Sequence, residues 1–189
     1  MVKWTISNMV ASLSFNIRLP LDKIAESLPF ANYNPEQFPG LILPLKDESV
    51  KALIFNTGKI NISGLRDIKD IEEAIENIRK IFESIGIKLP EKYDIKIQNI
   101  VINGKFDYNN IDIVRLSEEI EGASYNPESF PAVIVPYEVE PNYKVKFNIF
   151  KNGRFVCSGI KVKSEKTLNE EINKFVEEFQ EKVIKKYVK

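Results

Sequence analysis

The chain has no histidine, and Cys157 is its only cysteine. The first absence removes imidazole from acid–base roles. The two together exclude an internal disulfide and any zinc site built from Cys and His. A thiolate nucleophile at Cys157 would have no imidazole partner. No apolar run approaches the roughly 18 residues needed to cross a bilayer. Met1-Val2-Lys3-Trp4-Thr5-Ile6 lacks the basic start and apolar core of a signal peptide. A cytoplasmic protein with no membrane partner is therefore expected. Net charge is missing too: Lys+Arg and Asp+Glu number 27 each, so no overall basic field announces nucleic acid. Clustered carboxylate pairs and phosphate-cradling Gly loops are also absent, so neither an enzyme nor a bound cofactor is expected.

What the chain does have is a segment written twice. Asn34-Pro35-Glu36-Gln37-Phe38-Pro39 returns as Asn126-Pro127-Glu128-Ser129-Phe130-Pro131, with Phe38 and Phe130 standing 92 positions apart. Each copy follows a Tyr (Tyr33, Tyr125) and precedes an apolar run, Leu41-Ile42-Leu43 or Val133-Ile134-Val135. The echo extends further: Ile6-Ser7-Asn8-Met9-Val10 answers Ile97-Gln98-Asn99-Ile100-Val101. Ile54-Phe55-Asn56-Thr57-Gly58-Lys59 answers Ile149-Phe150-Lys151-Asn152-Gly153-Arg154, and Ile62-Ser63-Gly64 answers Cys157-Ser158-Gly159. The 189 residues thus read as one module of about 90 residues duplicated, as repeats 1–90 and 91–189 joined near Leu89-Pro90-Glu91. With 43% hydrophobic and 29% charged residues, the chain can bury a core.

Within the first repeat, Lys3 to Ser12 reads as a strand rich in β-formers. Leu21, Ile24, Ala25 and Leu28 recur at helical spacing behind Pro20 and Asp22. Three strands are expected after the Phe38 turn, over 40–45, 50–56 and 59–63, with Thr57-Gly58 as a tight hairpin. From Asp67 to Ile85, apolar Ile68, Ile71, Ile75, Ile78, Phe82 and Ile85 form one stripe that stops at Gly86. The second repeat follows suit, with a strand over 94–103, a short helix over 111–120 and three strands after the Phe130 turn. A closing helix over 166–187 is expected to place Leu168, Ile172, Phe175, Phe179 and Val183 inward. Helices on one face of an antiparallel sheet, twice over, make an α+β fold.

Side chains alternate between the faces of a strand. Ala52 and Ile54 therefore oppose Lys51, Leu53 and Phe55, and Ile60 and Ile62 oppose Lys59, Asn61 and Ser63. In the second repeat, Val145, Phe147 and Ile149 oppose Lys144, Lys146, Asn148 and Phe150, while Phe155 and Cys157 oppose Arg154, Val156 and Ser158. The helices cover the more apolar set. The other face then mixes Phe, Leu and Val with Lys, Asn and Ser, which is the composition of a binding surface.

These residues resemble the TATA-box-binding protein family over essentially the whole chain. The resemblance rests on Ala31-Asn32-Tyr33-Asn34-Pro35-Glu36-Gln37-Phe38-Pro39-Gly40, on Ala52-Leu53-Ile54-Phe55 with Thr57-Gly58-Lys59, and on Lys96-Ile97-Gln98-Asn99-Ile100-Val101. It implies two pseudo-symmetric repeats forming a saddle, a curved antiparallel sheet with helices on the convex face, and an archaeal-type general transcription factor. The implied partners are A·T-rich double-stranded DNA, transcription factor B and, through it, RNA polymerase. A homodimer of the free protein is left open. Carried over by motif, Phe38, Phe55, Phe130 and Phe150 would intercalate and kink the duplex, as is known for this class of minor-groove protein. Asn8 and Asn99 would face the acceptors of the minor groove, with Val10, Leu53, Val101 and Val156 excluding the guanine amino group. Ser63 and Ser158 keep a hydroxyl where the family usually has Thr. Lys51, Lys59, Lys144, Lys146 and Arg154 would meet phosphates.

The chain departs from the family pattern at several points. Leu43-Pro44 and Val135-Pro136 stand where an aromatic and an Arg are usual, and Asn61 and Asn148 where apolar residues are more frequent. Ala132 replaces a Gly. Around the second turn, Glu128 alone keeps the acidity expected of a surface for transcription factor B. The departures imply a diverged member with weakened DNA binding, and leave two rivals to a promoter-binding factor. One is a saddle that regulates the basal machinery through protein contacts. The other is an accessory domain of a nucleic-acid enzyme.

Overall fold

In the computed structural model, which describes residues 1–45 and 48–189, the chain divides into two compact units. The first is Asn8–Gln98; the second joins Met1–Ser7 to Asn99–Lys189. The opening strand β1 (Lys3–Ser14) serves both. Its element order is β1, α1 (Leu21–Ser27), β2 (Leu41–Pro44), β3 (Lys51–Ile54), β4 (Lys59–Leu65) and α2 (Ile68–Ser84). The repeat then runs β5 (Asp94–Lys105), α3 (Ile113–Glu119), β6 (Ala132–Glu140), β7 (Tyr143–Phe150), β8 (Arg154–Ile160) and α4 (Leu168–Lys182). Among the described residues, eight strands and four α-helices give the α+β architecture that the patterning implies.

In the first unit the strands are hydrogen-bonded in the order β2-β3-β4-β1, and in the second in the order β5-β8-β7-β6, all antiparallel where registers are defined. Thr57-Gly58 turns β3 into β4, with Gly58 at φ 89°. A Cβ there would lie 2.2 Å from the Ile17 carbonyl oxygen, so only glycine fits.

Helix α2 starts where Asp67 accepts from the Lys69 N–H and the Asp70 carboxylate accepts from the Asp67 N–H. This reciprocal cap satisfies donors that have no partner inside the helix. Its Ile71, Ala74, Ile75, Ile78 and Phe82 are buried on the same side as Ala52, Ile54, Ile60 and Ile62, each fully out of solvent in its strand. In the second unit, Phe179 of α4 stacks on Phe147 of β7, with ring centroids 4.0 Å apart and planes 3° from parallel. Phe106 stacks on Phe155 at 4.4 Å. Arg79 fastens residues 89–93 to the first unit, donating to the Leu89 and Pro90 carbonyls and lying over the Tyr93 ring.

The closing helix differs from its expected form. A 3₁₀ turn occupies Glu165–Thr167, α4 ends at Lys182, and a second 3₁₀ turn spans Ile184–Tyr187. Val183 leaves helical geometry at φ −116° and ψ −65° and is only half-buried. The tighter winding beyond it turns Ile184 and Tyr187 inward instead. That path brings the Tyr187 carbonyl to the Asp112 N–H.

Candidate nucleic-acid interface

Each unit leaves one face of its strands without helices, and the sequence signals converge there. The turn before β2 shows how Phe38 is held. The Asn34 carbonyl accepts from both the Gln37 and Phe38 N–H groups, closing a single helical turn. Pro39 has no N–H with which to extend it and pushes Phe38 towards extended backbone. Phe130 is held by the same pair of bonds to the Asn126 carbonyl. Phe38 then meets Phe55 edge-on, with centroids 5.9 Å apart at 65°, and Phe130 meets Phe150 at 5.7 Å and 71°. Edge-to-face contact is the favoured geometry for two such rings. Phe38 and Phe130 are nevertheless 36% and 41% exposed, while Phe55 and Phe150 are half-buried. A Cβ on Gly40 would lie 2.6 Å from the Phe38 ring. Ala132 carries a Cβ at the corresponding position, opposite Phe150, and the second pair forms all the same.

A second feature comes from two β-bulges. Between the Met9↔Leu65 and Ala11↔Ile62 pairings, Val10 of β1 faces two residues of β4, Ser63 and Gly64. The same irregularity sets Val101 against Ser158 and Gly159, between Ile100↔Ile160 and Ile102↔Cys157. Gly64 and Gly159 take φ of 85° and 80°, as such a bulge demands. The bulge frees an N–H from the ladder, and a side chain claims it. Gly64 N donates to Asn8 Oδ1 at 2.9 Å, and Gly159 N to Asn99 Oδ1 at 3.0 Å. Because an N–H must meet the amide oxygen, these bonds fix both amides with their NH₂ groups turned away from the bulge.

Cross-strand register lays out the rest in rows. One row is Ile42-Leu53-Asn61-Ser12, across β2, β3, β4 and β1. The second unit answers with Ile134-Asn148-Val156-Asn103, across β6, β7, β8 and β5. Ser12, Asn103, Ile42 and Ile134 escaped the sequence reading, although strand parity from Val10, Leu43, Val101 and Val135 was enough to find them. Val10, Val101, Leu53, Val156, Ser63 and Ser158 are all half-buried on these faces. Leu43 and Val135 point to the core, so the helix-free position beside each is a proline, paired across the ladder with a lysine: Pro44↔Lys51 and Pro136↔Lys146.

Charge is segregated despite the zero sum. Strands β2, β3, β4, β7 and β8 contain no acidic residue, while α2 carries Asp70, Glu72, Glu73, Glu76 and Glu83 and α4 carries Glu170, Glu171, Glu177, Glu178 and Glu181. Lys51, Lys59, Lys144, Lys146 and Arg154 are exposed and form no ion pair among the described residues. Lys144 is the compromised member, because Glu138 stands directly across from it. Glu128 is exposed in the second turn, its N–H bonded to Asn126 Oδ1. Cys157 is fully buried, and burial pushes its thiol well above the usual range, which keeps it protonated. No group of His, Cys, Asp or Glu among the described residues is arranged to hold a metal, and no described helix is long and apolar enough to cross a membrane.

Known proteins resemble this chain along most of its length. The family model described as "Transcription factor TFIID (or TATA-binding protein, TBP)" matches residues 3–85 and 94–182. The TATA-box-binding protein of Pyrococcus furiosus is 38% identical over 178 residues, covering 94% of this chain and 90% of that protein. That of Pyrobaculum calidifontis is 36% identical, covering 94% and 86%. Among solved structures, Methanococcus jannaschii TBP superposes with a TM-score of 0.78 at 31% identity, covering 95% of this chain and 99% of that one. With two matched repeats, this likeness and the same two-repeat α+β fold, the chain belongs to the TATA-binding protein family of transcription factors.

Proposed function

We propose that the chain binds the minor groove of A·T-rich promoter DNA, opens it with the pairs Phe38–Phe55 and Phe130–Phe150, and nucleates a preinitiation complex on the nucleoid. The observation that carries this reading is the pair of edge-to-face Phe contacts on helix-free strands, one in each unit. A ring that replaces a base's stacking partner must be flat and held, and each of these is braced by its partner. The Asn8 and Asn99 NH₂ groups supply donors for adenine N3 and thymine O2. Lys51, Lys59, Lys146 and Arg154 supply the cations for flanking phosphates. Transcription factor B would dock at the exposed Glu128 turn and bring RNA polymerase.

The decisive measurement is DNA bending, read by end-to-end fluorescence transfer on an A·T-rich duplex, with wild type and with Phe55→Ala/Phe150→Ala. The reading requires a bend with wild type and its loss in the variant while circular dichroism stays native. An unchanged bend would refute it.

A second reading, in which the chain binds DNA weakly and regulates the basal machinery by protein contact, is favoured by one observation: prolines occupy both helix-free positions beside β3 and β7 where the family usually has an Arg. Mobility shifts with and without transcription factor B separate the two, since weak binding rescued by the partner supports the second.

A further inference from the structure

Four positions flank the middle of the helix-free faces as cross-strand pairs, Leu53↔Asn61 in the first unit and Asn148↔Val156 in the second. Repeat register makes Leu53 equivalent to Asn148, which both precede Ile-Phe, and Asn61 equivalent to Val156, which both stand two residues before a Ser-Gly. Each unit therefore keeps one apolar residue and one amide, but on opposite strands. The two kinds of asparagine on these faces differ in what they can offer. The oxygens of Asn8 and Asn99 are taken by Gly64 and Gly159, so only their NH₂ groups are presented. Asn61 and Asn148 are half-buried and have no hydrogen-bond partner among the described residues, so neither end of their amides is committed within the fold.

The floor of the minor groove carries acceptors on every base pair and one donor, the N2 amino group of guanine. An apolar side chain meets that group at van der Waals distance, roughly 3.5–4.0 Å, and leaves it without a partner. An amide oxygen accepts from it at roughly 2.9 Å, which permits the closer approach that the bulk of the amino group forces. We propose, on the basis of the minor-groove reading above, that Asn61 and Asn148 each accept a guanine amino group. The preferred site of this chain would then admit a G·C pair at one step in each half, at steps that are not equivalent. Asn103, at the end of its row, is not one of the four flanking positions and plays no part in this.

The test is a panel of A·T duplexes carrying a single G·C pair, or a single inosine·C pair, at each step in turn. Inosine lacks the amino group and otherwise shows the A·T face. Wild type should lose less than about threefold in affinity at two steps, one per half, against on the order of tenfold or more at the other steps. At the tolerant steps inosine should bind no better than guanine; elsewhere it should restore affinity. Asn61→Val should abolish tolerance at one step and Asn148→Leu at the other, each guanine penalty being taken relative to that variant's own affinity for the all-A·T duplex. Equal guanine penalties at every step in wild type, with the all-A·T duplex bound, would overturn the proposal alone. Failure of folded wild type to bind the all-A·T duplex would overturn the minor-groove reading, and this proposal with it.

Discussion

The Gly64 N–H donates to Asn8 Oδ1 at 2.9 Å, and this bond decides which end of the Asn8 amide faces outward. Asn8→Asp keeps the acceptor and replaces the outward NH₂ with an anionic oxygen. The fold should survive, with a thermal midpoint close to wild type, while affinity for an A·T duplex falls more than tenfold. Asn8→Ala removes the acceptor as well. Stranding a half-exposed N–H should cost about 1 kcal/mol in urea unfolding, the low end for an unmade bond.

The aromatic residues fall into two groups that a stability scan should separate. Phe147 is fully buried and touches Phe106, Phe155, Phe175 and Phe179. Phe147→Ala should cost about 3–5 kcal/mol. Phe130→Ala removes a ring that is 41% exposed and braced mainly by Phe150, so its cost should be well below that. Calorimetry on both variants, beside DNA-bending amplitude for Phe130→Ala, checks the contrast.

Gly64 and Gly159 share the left-handed backbone of the bulge, yet their surroundings differ. A Cβ on Gly64 would lie 1.9 Å from the Ser49 carbonyl oxygen, whereas on Gly159 the nearest contact is the Lys144 carbonyl oxygen at 3.6 Å. Gly159→Ala should therefore cost only the backbone strain, about 1–2 kcal/mol. Gly64→Ala should cost clearly more, because the chain at Ser49 must move. Urea midpoints of the two variants give the comparison directly.

The cations of the helix-free strands should show in the salt dependence of DNA binding. Replacing Lys51, Lys59, Lys146 or Arg154 by Gln should each flatten the slope of log affinity against log salt by about 0.9. Lys144→Gln should flatten it less, since Glu138 across the ladder already offsets that charge. Glu138→Gln should raise affinity at low salt. Titrations between low and moderate salt measure all of these.

How much of this was readable beforehand depends on the range over which each feature is encoded. Strand parity needs only neighbours, so Lys51, Leu53 and Phe55 could be assigned a face opposite Ala52 and Ile54 from the sequence itself. The Phe38 and Phe130 turns were legible because Pro and Asn specify their backbone locally. The bond from Gly64 to Asn8 joins residues 56 apart through a bulge that no local pattern announces. The offsetting of Lys144 by Glu138 depends on the β6–β7 register, and the sequence showed only that both residues are charged. The end of α4 differs from the sequence expectation because Val183 fits a helical stripe; the change of winding that puts Ile184 inside comes with a bond from the Asp112 N–H to the Tyr187 carbonyl, a partner no local pattern names. The residues 1–7 lie in the unit of the second repeat, a pairing across the length of the chain that repeat periodicity does not express.

That last placement bears on how the molecule is made. The Val2 N–H is held by Glu177 and the Trp4 indole by Asn173, partners separated by 175 and 169 residues. A ribosome adding roughly 5–20 residues per second needs on the order of ten seconds or more to supply them. During that interval the segment 8–98 already has its full complement of strands and can fold as it emerges. Residues 1–7 are made before that segment, yet they gain their contacts with α4 only after the segment's own strands are complete.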